Sequence, residues 1–474
     1  MRNYFNFKQF SRDKVLITND FGRFLFLTQE QFGQMLGSEQ GIPQDLHSAL
    51  SDSLFLIDPA QAFSDDIRYQ MRAMKSYLFS STALHIFVVT NACNLQCVYC
   101  QAQSDKSRYR GMMSIETGHK AIDIALQSPS EALTFEFQGG EPLLNFPTIR
   151  DMVLYTEECK GDKQVDFTIV SNFSLLTDEI ADFLAEHHVA VSVSLDGPRR
   201  LHDSNRHYAG GEGSYHHVIG GIRKLRERGI NLSAIQTTTR ESLKCPVDIV
   251  QEYASLGLNG VFLRPLSPLG FAKAEWERIG YTADEFIAFY KMAFEEALRL
   301  NREGVFFPEQ HSTYFLRKIL FGEAVNYMEL RSPCGAAYGQ LAYYYDGRIF
   351  TCDEARMVAE GGDDAFCLGH VDTSDYKAIV SNRKSRATCA ASVLESIPGC
   401  CDCVYQPYCG VCPVVNYAQD KDPFAKQAHN YRCRVYEGML DYLFSLMEQG
   451  DAETLNILRS WVDGGERHEG CKEG

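Results

Sequence analysis

The chain has 474 residues; at about 150 residues per domain this sets a prior of about three domains and excludes a single small binding module. Apolar residues make up 45% and charged residues 23%, the balance of a globular protein with a large core, which excludes disorder as the main state. Lys and Arg total 46 against 62 Asp and Glu, a formal charge of −16, and no local basic patch offsets it, so no nucleic-acid partner is expected.

Sixteen cysteines are too sparse for a disulfide scaffold of this length and many for a cytosolic enzyme without metal, which points to thiolate ligands. The opening MRNYFNFKQF carries no continuous apolar core, unlike an export signal. The most apolar run, 84–89, falls far short of the roughly 18 residues of a membrane span. A cytoplasmic protein without membrane association is expected.

Residues 8–57 hold KVLIT, Asn19-Asp20 and RFLFLT, which predict a β-hairpin followed by helices. From 84 to about 302, short β-branched or aromatic runs alternate with longer amphipathic stretches, the pattern of repeated β/α units. The strands are predicted at 84–89, 133–137, 166–170, 190–195, 232–238 and 260–264, each followed by a helix. The first helix starts near Ser114, an N-cap with Glu116 in the first turn, and the last covers 282–302. Six such units predict an α/β partial barrel rather than a closed eightfold one, with chemistry on the loops at the carboxyl ends of the strands. A cysteine-dense region, 334–433, follows, with Gly and Pro frequent over 397–413, as expected where metal ligands replace hydrophobic packing. Residues 435–462 predict packed amphipathic helices.

Directly after the first predicted strand stands Cys93-Asn94-Leu95-Gln96-Cys97-Val98-Tyr99-Cys100. Three thiolates hold three irons of a 4Fe-4S cube and leave the fourth open to a substrate or cofactor; a structural zinc site wants four ligands. These residues resemble the radical S-adenosylmethionine (SAM) superfamily, whose CxxxCxΦC motif is matched with Tyr99 as the aromatic. The resemblance implies that the open iron chelates SAM through its amino and carboxylate groups. Reductive cleavage then yields methionine and a 5′-deoxyadenosyl radical that abstracts hydrogen from the substrate.

The second predicted strand ends in Gln138-Gly139-Gly140-Glu141-Pro142, which is similar to the superfamily's GGEP motif. Two glycines admit the backbone close to a ligand, and a carboxylate accepts from an ammonium group such as that of SAM. Ser171 and Asn172 end the third strand, and Ser194 and Asp196 the fourth. They offer short polar groups for ribose hydroxyls or a carboxylate, although each alone reads equally as a cap or turn. Arg206, in HDSNRH, matches an arginine that family members place near the SAM carboxylate; an exposed salt bridge is the alternative.

A second pattern comprises Cys334, Gly347, Cys352, Cys400, Cys403, Cys409, Cys412 and Cys433. It resembles the SPASM extension of radical SAM peptide-modifying enzymes, a seven-cysteine framework for two auxiliary 4Fe-4S clusters, with Asp346-Gly347 as a hairpin turn. The family usually leaves three residues before its penultimate cysteine, whereas Cys409-Gly410-Val411-Cys412 leaves two. The resemblance implies Cys334, Cys352 and Cys412 for the first auxiliary cluster and Cys400, Cys403, Cys409 and Cys433 for the second. The fourth ligand of the first is Cys367, Cys401 or none. Cys159, Cys245, Cys389 and Cys471 match no motif and are expected to be incidental thiols. Asp353, next to Cys352, stands where related SPASM enzymes carry a proposed base; a turn carboxylate facing solvent is the alternative.

LHIFVVT, EFQGGEPLLNF, SLDGP, FLRPLSP and the PGC to YCG stretch together resemble the His-Xaa-Ser system maturases, which modify ribosomally made precursor peptides and have cyclophane-forming relatives. The resemblance implies an α/β fold: a partial (β/α)6 radical SAM barrel at 81–310, a bridging region and SPASM domain at 311–435, a helical tail at 436–474 and a small α+β segment at 1–80. It implies a peptide crosslink with loss of two hydrogens, SAM and three 4Fe-4S clusters as cofactors, and a flavodoxin or ferredoxin as reductant. Sulfatase-type or thioether-forming maturation, and a non-catalytic iron-sulfur protein, are the alternatives. Residues 8–57 weakly resemble elements that bind a leader peptide as an added strand; a plain cap on the barrel is the other reading.

Overall fold

The computed structural model describes residues 1–62, 64–101, 111–424 and 430–464; Cys471 lies outside them. The N-terminal segment is a three-stranded antiparallel sheet of β1 (Asn6–Gln9), β2 (Lys14–Thr18) and β3 (Phe24–Thr28). The expected hairpin is β2–β3, where Asn19 Oδ1 accepts from the backbone N–H groups of Phe21 and Arg23. The edge strand β1 was not expected, because four residues are too short for an alternation to register. Helices Gln29–Leu36 and Gln44–Asp52 cover one face, and Val15, Ile17, Leu27, Met35, Leu46, Leu50 and Phe55 form a small core of their own. On the other face Phe24 and Phe26 pack edge-on against Phe444 of helix Tyr431–Gln449.

Further strands follow in chain order: β4 Leu84–Thr90, β5 Leu95–Cys97, β6 Ala132–Gly139, β7 Gln164–Ser171, β8 Ala190–Ser194, β9 Arg206–Tyr208, β10 Leu232–Thr237, β11 Phe262–Arg264, β12 Gln340–Tyr344, β13 Arg348–Phe350 and β14 Cys367–His370. Six of them, β4-β6-β7-β8-β10-β11, are parallel neighbours in that order, the partial barrel expected from the six β/α units. Their ends fall within two residues of the expected ones. Alternation sets the two faces. In β6, Leu133, Phe135 and Phe137 are buried, while Thr134, Glu136 and Gln138 stand half-buried on the opposite face.

The sheet does not stop at β4. Strand β12 pairs with it in parallel, from Gln340 opposite Leu84 to Tyr344 opposite Val88, and β13 and β14 add antiparallel strands to make nine. The cysteine-rich region therefore continues the barrel sheet, and Leu341, Tyr343 and Ile349 share the main core with Phe87 and Phe135. The long helix Ala283–Arg302 opens with a Thr282–Glu285 capping box and packs through Phe294 on Tyr442 and Trp461, centroids 5.2 and 5.0 Å away. These partners lie on helices Tyr431–Gln449 and Ala452–Asp463, where helices were expected. Among the described residues no helix is long and apolar enough to cross a membrane.

Candidate active site

The first cysteine loop leaves the carboxyl end of β4 and is held from three sides. Thr90 Oγ1 donates to the carbonyl of Gly111 (2.7 Å), and Asn91 Oδ1 accepts from Gly111 N–H (2.9 Å). Strand β5 pairs antiparallel with β9, placing Cys97 opposite Arg206, and Val98 N–H donates to Asn205 O (2.9 Å). On the third side Phe271 N–H donates to Cys100 O (3.0 Å). The preceding Gly270 has φ +54°, and a Cβ there would lie 2.4 Å from Gln101 O. Nothing in the sequence marked this contact, because it joins segments about 170 positions apart in a loop with no motif.

The donor set fits an iron-sulfur cluster. Burial pushes the Cys93 thiol up, and the neighbouring Cys97 and Cys100 push it the same way. Cys97 is pushed up to about 12 by burial, against the pull of the Arg206 guanidinium. Leu95 N–H points at Cys93 Sγ (3.4 Å). Thiols that repel each other when ionised, with an N–H and a guanidinium at their sulfurs, are groups that bound iron holds as thiolates.

The glycines of the second motif are also required by the protein itself. A Cβ on Gly139 would lie 2.4 Å from Thr90 O, and one on Gly140 2.3 Å from Ala92 O. Gly140 and Glu141 N–H groups donate to those same carbonyls (2.9 and 2.8 Å). The close approach is thus to the chain leading into Cys93. The buried Glu141 carboxylate accepts from Ser171 Oγ (2.7 Å) and from the N–H groups of Asn172 (2.9 Å) and Leu143 (3.0 Å). Burial raises its pKa and these donors lower it. Pro142 is buried at the start of the turn Pro142–Asn145, and the Gln138 amide donates to Glu136.

Asp196 organises the next strand end. Wholly buried, it accepts from Tyr99 Oη (2.6 Å), Asn205 Nδ2 (3.0 Å) and Thr237 N–H (3.3 Å), and pairs with Arg206 Nε (3.1 Å). Arg206 lies over the Tyr99 ring, 5.3 Å from its centroid, so it is no exposed salt bridge. Asn172 Nδ2 donates to Asn94 Oδ1 (3.1 Å), and its Oδ1 accepts from Ser174. Ser194 stands half-buried beside these groups at the end of β8. The structure thus gathers Tyr99, Gln138 to Pro142, Ser171, Asn172, Ser194, Asp196 and Arg206 around one cysteine loop, with Glu141 and Asp196 holding loops to one another.

On the inner side of the sheet lies a charged group that the motifs missed. Asp353 opens helix Asp353–Glu360; it is buried, and its Oδ1 accepts from Arg356 Nε (3.1 Å) and Nη2. It is not the solvent-facing turn carboxylate. The Glu136 carboxyl, raised mainly by burial, feels Asp353 and, in the opposite sense, Arg264. Arg264 Nη2 lies 3.5 Å from Glu329 Oε1 and 3.9 Å from Glu354 Oε1. The signal available was FLRP, whose arginine ends β11 and therefore stands at the chemical end of the barrel.

Among the later cysteines, Cys400, Cys403, Cys409, Cys412 and Cys433 line one cavity of about 150 Å³. Cys334, Cys352 and Cys412 share a second buried group with Ala355, and Cys367 packs against its rim. Cys401 instead lies beside the N-terminal segment, its carbonyl accepting from Tyr4 Oη and Asn6 Nδ2. Cys412 thus belongs to both groups. Gly347, at φ +91°, makes the turn between β12 and β13. Cys159 is exposed, and Cys245 and Cys389 are partly buried.

Residues 87–252 match the model of the radical SAM superfamily. An uncharacterized protein of Methanothermobacter thermautotrophicus is 30% identical over 206 residues, 43% of this chain and 75% of that one. The chain belongs to the radical SAM superfamily. It is a radical SAM enzyme, and its cofactors are SAM and 4Fe-4S clusters. The serine-type anaerobic sulfatase-maturating enzyme of Bacteroides thetaiotaomicron is 23% identical over 424 residues, covering 82% of this chain and 99% of that enzyme. The structure of native anSMEcpe with bound AdoMet and Cp18Cys peptide superposes with a TM-score of 0.67 at 19% identity, covering 80% of this chain and 99% of the other. Streptococcus suis SuiB bound to the precursor peptide SuiA gives 0.54 at 13% identity, covering 89% and 98%. The radical SAM enzyme has the fold of these two, cysteine-rich carboxyl-terminal region included.

Proposed function

We propose that this radical SAM enzyme matures a ribosomally made precursor peptide in the cytoplasm, abstracting hydrogen from a side-chain carbon and closing an intrapeptide crosslink, a cyclophane-type C–C bond first. When bound at Cys93, Cys97 and Cys100, the cluster and SAM supply the 5′-deoxyadenosyl radical. The observation that supports the reading is the buried Asp353, whose charge is felt by Glu136 of β6 and which directly follows Cys352 of the auxiliary group. Restoring aromaticity after ring attack requires loss of one electron and one proton. Asp353 would take the proton, and Cys334, Cys352 and Cys412 together with Cys400, Cys403, Cys409 and Cys433 would hold two auxiliary 4Fe-4S clusters whose oxidised form would accept the electron. Two hydrogens leave per crosslink.

The peptide's leader adds as a strand to the N-terminal sheet, whose edge β1 carries the exposed Phe7. A flavodoxin- or ferredoxin-type protein delivers the electron that starts each turnover. A second reading, oxidation of Ser or Cys in a protein substrate or thioether formation, is favoured by the 99% of the sulfatase-maturating relative that this chain covers.

The test is anaerobic reconstitution with iron and sulfide, addition of SAM and dithionite, and measurement of 5′-deoxyadenosine, followed by the mass of the candidate peptide. Nucleoside formation together with loss of two hydrogens and a C–C linkage supports crosslinking. An aldehyde at Ser or Cys supports the sulfatase-type reading, and a peptide of unchanged mass contradicts both.

A further inference from the structure

Arg432 stands in the wall between the two carboxyl-terminal cavities. It lines the cysteine cavity with Cys409, Cys412 and Cys433, and it also lines a smaller cavity of about 30 Å³ on the side of Arg264 and Glu329. Its side chain is 16% exposed, whereas Arg434, one position beyond Cys433, is 66% exposed and pairs with Glu437 at the surface. Arg432 Nη2 meets Glu329 Oε2 (2.5 Å) and donates to Tyr436 Oη (2.7 Å). Its Nε is buried without a hydrogen-bond partner among the described residues.

A buried guanidinium costs several kcal/mol of desolvation, by order of magnitude, unless compensated. Glu329 is shared, its other oxygen facing Arg264 (3.5 Å), and the second carboxylate of the group, Glu354, stands 3.9 Å from Arg264 and makes no ion pair with Arg432 among the described residues. The remaining charge falls on the neighbouring sulfurs, and net charge and hydrogen bonds at the sulfurs set the reduction potential of a cluster. We propose that Arg432 is a positioning residue that holds up the reduction potential of the auxiliary cluster bound through Cys412, and that Glu329 meters how much of its charge the cluster feels. Charge set in this way keeps the cluster able to accept the electron that leaves the substrate. The inference rests on the auxiliary clusters assigned under the proposed function.

The test is an EPR-monitored redox titration of the reconstituted full-length enzyme, following the signals that SAM does not perturb. Arg432→Gln is expected to lower one auxiliary potential by the equivalent of at least tenfold in the reduction equilibrium, about 59 mV for a one-electron couple. Arg432→Lys should fall between it and the parent, and Glu329→Gln should shift the same signal in the opposite direction. A purely structural role would not give opposite signs. Unmoved potentials in variants with full iron, or shifts of one sign in both, overturn the proposal. Should Arg432→Gln fail to hold iron, Glu329→Gln decides alone, and no upward shift overturns it. If the parent shows no SAM-insensitive cluster, the cluster assignment itself falls and the proposal with it.

Discussion

The two cysteine regions are built on opposite plans. Around Cys93, Cys97 and Cys100 the protein makes its own framework: Thr90, Asn91, Glu141 and Asp196 hold the loop through hydrogen bonds to backbone and side chains. Around Cys400, Cys403, Cys409 and Cys433 the side chains instead surround a cavity of about 150 Å³. A site whose walls are satisfied by protein is pre-organised for a cofactor that must bind and release SAM. The second set draws its thiols from two separate chain segments, 400–412 and 433, so a cluster bound there would tie those segments together and couple metal binding to folding.

That contrast breaks first under cysteine substitution. Cys97→Ala should abolish 5′-deoxyadenosine formation while leaving the melting temperature near that of the parent, whereas Cys409→Ala should lower both iron content and melting temperature; equal effects on stability would erase the distinction. Asp353→Asn should cut crosslinked product by about 10²–10⁴-fold, the range for loss of a general base, with nucleoside formation retained in a coupled assay. Asp196→Asn strands buried Arg206 without its counter-charge and should cost about 3–5 kcal/mol in denaturant unfolding, the range for a broken buried pair.

Acid sharpens the picture further. Burial pushes His85 down to about 3, and His202 and His311 down to about 4. An unfolded histidine takes its proton near pH 6.5, so below that pH the unfolded chain binds more protons and stability falls. The loss should run from about pH 6.5 down to about 4 for His202 and His311, reaching about 3 kcal/mol each, and on to about 3 for His85, reaching about 5 kcal/mol. His311, stacked on Phe262 with both ring nitrogens unpartnered among the described residues, is the clearest case: His311→Phe should flatten that part of the stability curve in urea titrations. Gly140→Ala, which presses a methyl onto Ala92 O, should cost about 1–3 kcal/mol and perturb the SAM-binding cluster's EPR signal without touching the auxiliary ones.

The sequence carried the barrel well, because the six parallel strands β4, β6, β7, β8, β10 and β11 are short runs rich in β-branched or aromatic residues, and the cysteine spacings read directly. It did not carry β5, β9 or β14, strands of three or four residues whose pairing depends on partners far along the chain. Local pattern also gave no sign that Gly139 and Gly140 pack on Thr90 and Ala92, about fifty positions earlier. Of the charged group of Glu136, Arg264, Glu329, Glu354 and Arg432, only Arg264 had a signal, at the end of FLRP; the rest were hidden for the same reason. Each residue alone is an ordinary surface type, and only the fold brings them inside.

The parallel pairing of β12 with β4 makes the protein hard to cut. A version shortened before residue 340 to isolate the barrel would leave β4 as a bare apolar edge, with Ile86 and Val88 uncovered, and such edges recruit other chains. Swapping carboxyl-terminal modules between relatives therefore means replacing a strand in the middle of a nine-stranded sheet, and any successful chimera would have to carry the β4 partner along with its cysteines.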